Sequence, residues 1–120
     1  MTLLGIHHVQ VTVPRGELGR AREFYLGFLG LAEVEKPPIL RARGGFWAQV
    51  GEHQLHVNEE DEPMASRRAH VAYLVDDLEA WRARVSAAGL TVKAGEDIPG
   101  HHRFELRDPF GNRVEFLQRV

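Results

Sequence analysis

Two similar segments decide the fold of this chain: IHHVQVTV at residues 6–13 and RAHVAYLV at residues 68–75. When they are aligned, His8 falls on His70 and a valine follows each histidine. Both segments alternate between apolar and other side chains, as expected of a strand with one buried face. Because internal repeats determine the whole architecture, the match predicts that the chain contains two copies of one structural unit.

Each of these strands is followed by one helical segment and three further strand-like runs. The helical segments, residues 16–30 and 76–89, carry apolar residues at helix spacing, and each ends at a glycine, the residue favoured just past a helix end. The predicted strands lie at about 31–36, 45–50 and 53–58 in the first copy and at 91–94, 102–107 and 113–118 in the second.

The spacing after the two glycines identifies equivalent positions in the copies. From Gly30 to His56 is 26 positions, and from Gly89 to Glu115 is also 26. The spacing before the glycines differs, with 22 positions from His8 to Gly30 and 19 from His70 to Gly89. His56 in the first copy therefore occupies the place of Glu115 in the second, as His8 matches His70.

Polar residues of four predicted strands share one face. Because side chains alternate along a strand, the valines of the first strand oppose His8, and the same argument applies to His56, His70 and Glu115. If the two sheets curl so that these faces meet, three imidazoles and one carboxylate converge into a set of metal donors. His7 lies on the valine face and has Ala69 as its counterpart, so we interpret His7 as structural.

Other side chains are expected to surround the candidate donors. Four of them share or border the same face and are candidate substrate contacts: Gln10, Trp47, Gln54 and Arg113. Arg103 follows a loop that could border the cavity mouth and could pair with a carboxylate or phosphate, or else be a solvent-exposed strand arginine.

Composition limits the class of protein. The 120 residues suit a single domain, with repeat units at about 5–58 and 68–118 joined by a polar linker at 59–67. A formal net charge of -2 gives no electrostatic case for nucleic acid or an anionic membrane. No apolar run reaches the roughly 18 residues of a spanning helix. The absence of cysteine excludes disulfides and thiolate ligands, and we expect a cytoplasmic protein.

The repeated unit resembles the vicinal oxygen chelate superfamily, which includes glyoxalase I, extradiol dioxygenases and bleomycin-resistance proteins. The resemblance is carried by IHHVQVTV, AREFYLGFLGL, RAHVAYLVDDLEA and HRFELRDPFGNRVEFLQ, which cover nearly the whole chain. It implies an α+β fold of two βαβββ units, whose curled mixed sheets close into an open barrel-like cavity with the helices outside.

The resemblance also implies a ligand set for a divalent metal ion. The superfamily ligands fall on His8, His70 and Glu115, whereas the fourth-strand position, often glutamate or glutamine, is His56 here. His56 is therefore open as a fourth ligand, an acid/base group or a substrate contact. Two histidines and one glutamate leave open coordination positions, and zinc, nickel, manganese or iron would suit nitrogen and oxygen donors.

Two functions follow from this resemblance. The first is a small metal-dependent lyase, isomerase or dioxygenase acting on a small oxygenated substrate. The alternative is a non-catalytic protein of the bleomycin-resistance type that sequesters a ligand without a metal. Superfamily members with two units often dimerise, in some cases building the site from both chains, so the resemblance also implies a homodimer.

Overall fold

The computed structural model describes residues 1–120 as two compact units, Met1–Met64 and Ala65–Val120. The first unit contains β1 (His8–Pro14), α1 (Leu18–Arg22), a π-helical turn (Glu23–Phe28), β2 (Ala32–Val34), α2 (Pro38–Arg41), β3 (Phe46–Val50) and β4 (His53–Glu60). The second contains β5 (His70–Leu74), α3 (Leu78–Ala87), β6 (Lys93–Ala94), β7 (His101–Arg107) and β8 (Arg113–Arg119).

The two units have the same sheet topology. The strand order is β1-β4-β3-β2 in the first sheet and β5-β8-β7-β6 in the second. In each sheet the first and fourth strands of the unit are parallel, and the remaining pairs are antiparallel. The predicted α+β class and the repeated unit are confirmed. The strands form two separate four-stranded sheets, so no continuous hydrogen-bonded barrel is present.

One face of each sheet is buried under the helix of its own unit. Leu55 and Val57 on β4 are buried, as are Val114 and Phe116 at the matching places on β8. The alternation predicted from the sequence therefore determines which face of β4 and β8 is covered by the helix. The opposite face of these strands carries His56 and Glu115. Apolar burial on this scale contributes roughly 25 cal/mol per Å² of surface removed from water.

The first helical segment differs from the single regular helix expected over residues 16–30. A short α-helix passes into a π-helical turn, in which the Leu29 amide donates to the Phe24 carbonyl at 2.8 Å. Leu18, at the start of α1, lies 12 positions before Gly30, whereas Leu78 lies 11 before Gly89. The π-turn thus accounts for one of the three extra residues in the first copy, and β1, with seven residues against five in β5, contains the other two.

Gly30 and Gly89 both adopt left-handed backbone conformations, with φ of +76° and +79°. They end the two helical segments as the sequence predicts, because only glycine adopts this conformation without steric cost. The structure adds α2, a four-residue helix at Pro38–Arg41 that the sequence analysis did not predict. No helix in the structure has the length and apolar character required to span a lipid bilayer.

Candidate functional site

The polar face of the first sheet is organised by a stack of three rings. Trp47 on β3 lies directly opposite His56 on β4, and their rings are 4.1 Å apart with planes within 5°. The His8 ring stacks on His56 at 4.0 Å and 12°. Because β4 lies between β1 and β3, the His56 ring is enclosed between the other two, and His56 is only 5% exposed.

Hydrogen bonds orient both imidazoles of the stack. His56 Nε2 lies 2.9 Å from Gln54 Oε1, so Nε2 donates its proton to that amide oxygen and Nδ1 keeps a lone pair. His8 Nδ1 lies 3.0 Å from His7 Nδ1, where one nitrogen donates to the other. This contact leaves His8 Nε2 as the nitrogen available to a ligand, and a partner on the second ring nitrogen is typical of ligating histidines.

The interpretation of His7 as a structural residue of the valine face was wrong. His7 is exposed, contacts the His8 ring edge-on and borders the same cavity as His8. Strand alternation does not extend to His7, because β1 begins at His8 and its apolar face becomes buried only farther along the strand. Val9 is 37% exposed, whereas Val13 is fully buried.

Burial lowers the pKa of His56 to about 4, with further lowering by electrostatic interaction with His8, His7 and Lys36. His56 is therefore neutral at neutral pH and can present its Nδ1 lone pair. A neutral imidazole is the form required of a metal ligand or a general base.

A cavity of about 330 Å³ lies over this part of the first sheet. Its walls include all three stacked rings, part of α2 and two basic side chains, and they contain no carboxylate. The lining residues are His7, His8, Gln10, Lys36, Leu40, Arg43, Gly44, Trp47, His56, Val57 and Asn58. Of the candidate substrate contacts in this unit, Gln10 and Trp47 line the cavity, whereas Gln54 is not among the lining residues and is the partner of His56.

The second unit places a buried carboxylate at the equivalent position. Glu115 is 2% exposed, and each of its oxygens has a partner. Arg103 Nη1 donates to Oε1 at 2.8 Å, and His70 Nε2 lies 2.8 Å from Oε2. Arg103 thus compensates the charge of this carboxylate, as burial of an ion requires, and His70 contacts its second oxygen.

His70 makes a second contact that limits its protonation states. Its Nδ1 lies 2.6 Å from the Arg68 carbonyl, which can only accept, so Nδ1 donates. A neutral ring then has a lone pair on Nε2, facing a carboxylate oxygen that also carries lone pairs. Two acceptors at 2.8 Å require a positive species between or beside them, either a proton on Nε2 or a metal ion. A separation of 2.8 Å is that of an ordinary hydrogen bond, and an imidazole nitrogen and a carboxylate oxygen are also the donor types that suit a divalent cation.

The two arginines predicted as substrate contacts have carboxylate partners within the second unit. Besides its bond to Glu115, Arg103 donates from Nε to the Glu96 carbonyl at 2.6 Å, so it is anchored at both ends of its guanidinium. The Glu115 hydrogen bond is the largest cause of the raised pKa of Arg103. Arg113 Nε forms an ion pair with Glu105 on β7. Glu105 was not recognised from the sequence, although its place opposite Glu115 follows from the strand pairing.

The structure thus brings the predicted residues together in two sets. The first unit collects His8, Gln10, Trp47, Gln54 and His56, and the second collects His70, Arg103, Arg113 and Glu115. No group of three or more His, Cys, Asp or Glu side chains is close enough in the structure to hold a metal ion. Lys36 and Arg43 were missed, because Lys36 was assigned to the end of the predicted strand at 31–36 and Arg43 to the stretch before the next strand, whereas both follow β2 in the segment that leads to β3.

Comparison with known proteins places the chain in a family. Residues 5–116 match the model of the Glyoxalase/Bleomycin resistance protein/Dioxygenase superfamily, and the chain belongs to that superfamily. Among curated proteins, no sequence matches this chain.

Three solved structures show how widely the fold is shared. A protein from Bacillus anthracis assigned to the glyoxalase family is 35% identical, with a TM-score of 0.91 over 100% of this chain and 98% of that one. Lactoylglutathione lyase from Agrobacterium tumefaciens is 22% identical, with a TM-score of 0.74 over 98% and 96%. The fosfomycin resistance protein FosX from Listeria monocytogenes is 14% identical, with a TM-score of 0.78 over 99% and 94%. The last two likenesses concern the fold alone.

Proposed function

We propose that this protein is a small metal-dependent enzyme of the glyoxalase/dioxygenase type, with lyase, isomerase or dioxygenase activity on a small oxygenated substrate. His8, His70 and Glu115 are the proposed ligands of a divalent ion (zinc, nickel, manganese or iron), and His56 is a fourth candidate. The observation that carries the proposal is the pair of acceptors His70 Nε2 and Glu115 Oε2, 2.8 Å apart, with His70 Nδ1 already donating to a carbonyl. The chemistry that such an ion supplies is Lewis-acid polarisation of substrate oxygens.

The remaining side chains have supporting roles in this proposal. Arg103 holds the Glu115 carboxylate in place through Oε1, and the Arg68 carbonyl fixes the ring of His70. His56, neutral and with its Nδ1 lone pair available, suits either a fourth ligand or a general base that takes a substrate proton at Nδ1. Gln10 and Trp47 would contact the substrate, and Gln54 would hold the His56 ring.

Metal analysis of protein purified without a histidine tag tests this proposal. The protein is stripped with a chelator, reloaded separately with nickel, zinc, manganese and iron(II), and measured by mass spectrometry of the metal. We expect about one ion per chain, and we expect His8→Ala and Glu115→Ala each to reduce metal retention at least tenfold. His53→Ala is the matched control, because His53 is an exposed histidine on β4 that belongs to neither donor pair. A chain that takes up none of the four metals would overturn the proposal.

A second candidate function is a metal-free binding protein of the bleomycin-resistance type. It is favoured by one observation: the charge of Glu115 is already compensated by Arg103, so the second unit has no need of a metal to bury this carboxylate. In that case His70 carries a proton on Nε2. The same metal titration separates the two candidates, since a binding protein would retain its fold and its cavity without stoichiometric metal.

We further propose that the protein is a homodimer. Superfamily members with two units often pair, and the candidate donors are divided equally between the units of one chain. Analytical ultracentrifugation should give about twice the chain mass of 13.6 kDa, whereas a 13.6 kDa species at micromolar concentration would contradict the dimer. A cytoplasmic location stays a prediction, which fractionation of the expressing cells would check.

A further inference from the structure

The basic side chains of the first unit fall into two groups. Residues 1–64 contain six lysines and arginines. Four of them form ion pairs with carboxylates of the same unit, and these are Arg15, Arg20, Arg22 and Arg41. The other two, Lys36 and Arg43, have no carboxylate within ion-pair distance, and both line the cavity over the ring stack.

The cavity offers no negative charge to these two cations. Its lining contains three imidazoles and two amide side chains but no aspartate or glutamate. The Lys36 ammonium donates only to the Gly44 carbonyl within the same segment. Its positive charge reaches the ring stack, since it contributes to lowering the pKa of His56. Two cations left without counterions in one concave site create a positive potential that favours an anion.

The backbone holds the segment that carries these cations against the sheet. Asn58 Nδ2 on β4 donates to the Arg43 carbonyl at 3.1 Å. Gly45 passes so close to β4 that a Cβ atom at this position would lie 2.4 Å from the Val57 carbonyl oxygen. Because only glycine permits this approach, Arg43 is held at the cavity wall rather than on a loose loop.

The second unit has no comparable arrangement. Its cations nearest the equivalent face are compensated, with Arg103 paired to Glu115, and with Arg113 and Lys93 both paired to Glu105. The segment between β6 and β7 carries Glu96 and Asp97, where the segment between β2 and β3 carries Lys36 and Arg43. Uncompensated positive charge is therefore specific to the first unit.

We propose that the cavity of the first unit binds an anionic oxygen group of a small ligand, a carboxylate or a phosphate-like group, through Lys36 and Arg43 over the ring stack. The inference rests on the proposed function in one respect: the anion is taken to be part of the substrate. Arg43 can bind such a group in a bidentate manner, and Lys36 supplies a point charge. The flat stack of Trp47, His56 and His8 supplies an aromatic floor for the rest of the ligand.

Fluorescence of Trp47 tests this proposal directly, because its ring lies in the cavity wall. Trp81→Phe removes the second tryptophan, so that emission reports on Trp47 alone. The metal-free protein is titrated with inorganic phosphate and with lactate at constant ionic strength, and propane-1,2-diol serves as the neutral counterpart of lactate. We expect a saturable change with at least one anion and none with the diol.

Charge-removing variants identify the residues responsible. Lys36→Met and Arg43→Met should each weaken the anion titration about tenfold, the effect of losing one charged hydrogen bond. Arg20→Met is the control, because Arg20 is an exposed arginine of the same unit that pairs with Glu17 and does not line the cavity, and it should change the affinity less than twofold. Circular dichroism of each variant confirms that the fold is retained.

The outcomes separate this inference from the proposed function. Anion titrations that are unchanged in Lys36→Met and Arg43→Met, or matched by the diol, would overturn it, as would the absence of a saturable change with either anion. Anion binding by a chain that takes up no metal would support the inference while the metal-dependent function failed. Stoichiometric metal binding without anion binding would support the metal-dependent function and overturn the inference. A preference between phosphate and lactate would identify the anionic group.

Discussion

The two units share one sheet topology and one buried face but differ on the polar face. Strand pairing makes Phe46 the counterpart of Phe104, and both are fully or almost fully buried beneath an arginine, with the guanidinium carbon 4.9 Å from the ring centre in each case. One register step further, Trp47 in the first unit corresponds to Glu105 in the second. The apolar side is thus repeated closely, whereas an aromatic ring has been replaced by a carboxylate on the other side.

This difference shows two ways of burying polar groups at one position of a sheet. His56 is buried as a neutral ring between two other rings, and burial lowers its pKa. Glu115 is buried as part of a charged network with Arg103 and His70. In the first unit, Lys36 and Arg43 near the ring stack have no carboxylate partner. In the second unit, Arg103 and Arg113 are paired with Glu115 and Glu105. Duplication has kept the packing, which any substitution would disturb, and has let the chemistry of the open face diverge.

The largest expected effect concerns the shared core. Phe46→Ala and Phe104→Ala should each lower the free energy of unfolding by about 3–5 kcal/mol, because each removes a buried ring and leaves a cavity. Urea unfolding followed by circular dichroism measures both. Tyr73→Phe, which keeps the ring, is the control for a change at a buried aromatic position. A loss below about 1 kcal/mol at one position alone would break the equivalence of the two cores.

The next effect concerns the buried carboxylate. Arg103→Met removes the cation that compensates the buried Glu115 carboxylate, and a buried carboxylate without a counterion costs about 3 kcal/mol. Adding Glu115→Leu to Arg103→Met should recover most of that loss, since an apolar pair can replace a buried ion pair without cost. The exposed Arg119→Met on β8 is the control. If the double variant were as unstable as Arg103→Met, the charge of Glu115 would not be the cause.

Local patterns were enough to predict the repeat and the fold class, and they assigned four candidate residues to one face. The glycine register paired His56 with Glu115, and strand alternation placed both on the same face as their unit's first-strand histidine. Three features escaped because they depend on tertiary contacts. The exposure of His7 depends on how far the helix covers β1, the π-turn depends on packing of the first helix, and the positions of Lys36 and Arg43 depend on Gly45 approaching β4.

A pH effect should distinguish the two buried polar positions. The pKa of His56 is about 4 in the folded protein and near 6.5 when unfolded, so the unfolded chain binds the proton more tightly. In the metal-free protein, neutral His56 therefore makes its full contribution to the free energy of unfolding above about pH 6.5. That contribution falls as the pH is lowered towards 4, by on the order of 2 kcal/mol at pH 5. Comparison with His56→Gln over this range measures the contribution. A difference between the two proteins that does not change from pH 7 to 5 would contradict the neutral burial of His56.

The smallest effect concerns the helix starts, which differ between units. In α3, Asp77 Oδ1 accepts from the Ala80 amide at 3.0 Å, and Gln118 Oε1 accepts from the Leu78 amide at 2.7 Å. In α1, Glu17 occupies the equivalent position without a side-chain bond to the helix backbone. Asp77→Ala should therefore lower the free energy of unfolding by about 1 kcal/mol, the usual contribution of an aspartate cap.

Glu17→Ala removes only an exposed pair with Arg20 and should cost at most a few tenths of a kcal/mol, roughly the value of such surface pairs. The two variants are matched, since each removes one acidic side chain immediately before a helix. Thermal unfolding of both, at high and low salt, separates capping from surface charge. Because an exposed ion pair is screened by salt and a backbone cap much less so, only the small Glu17→Ala effect should vanish at high salt. Equal losses for both variants would mean that the second helix gains nothing from its cap, and the units would then differ only on their polar faces.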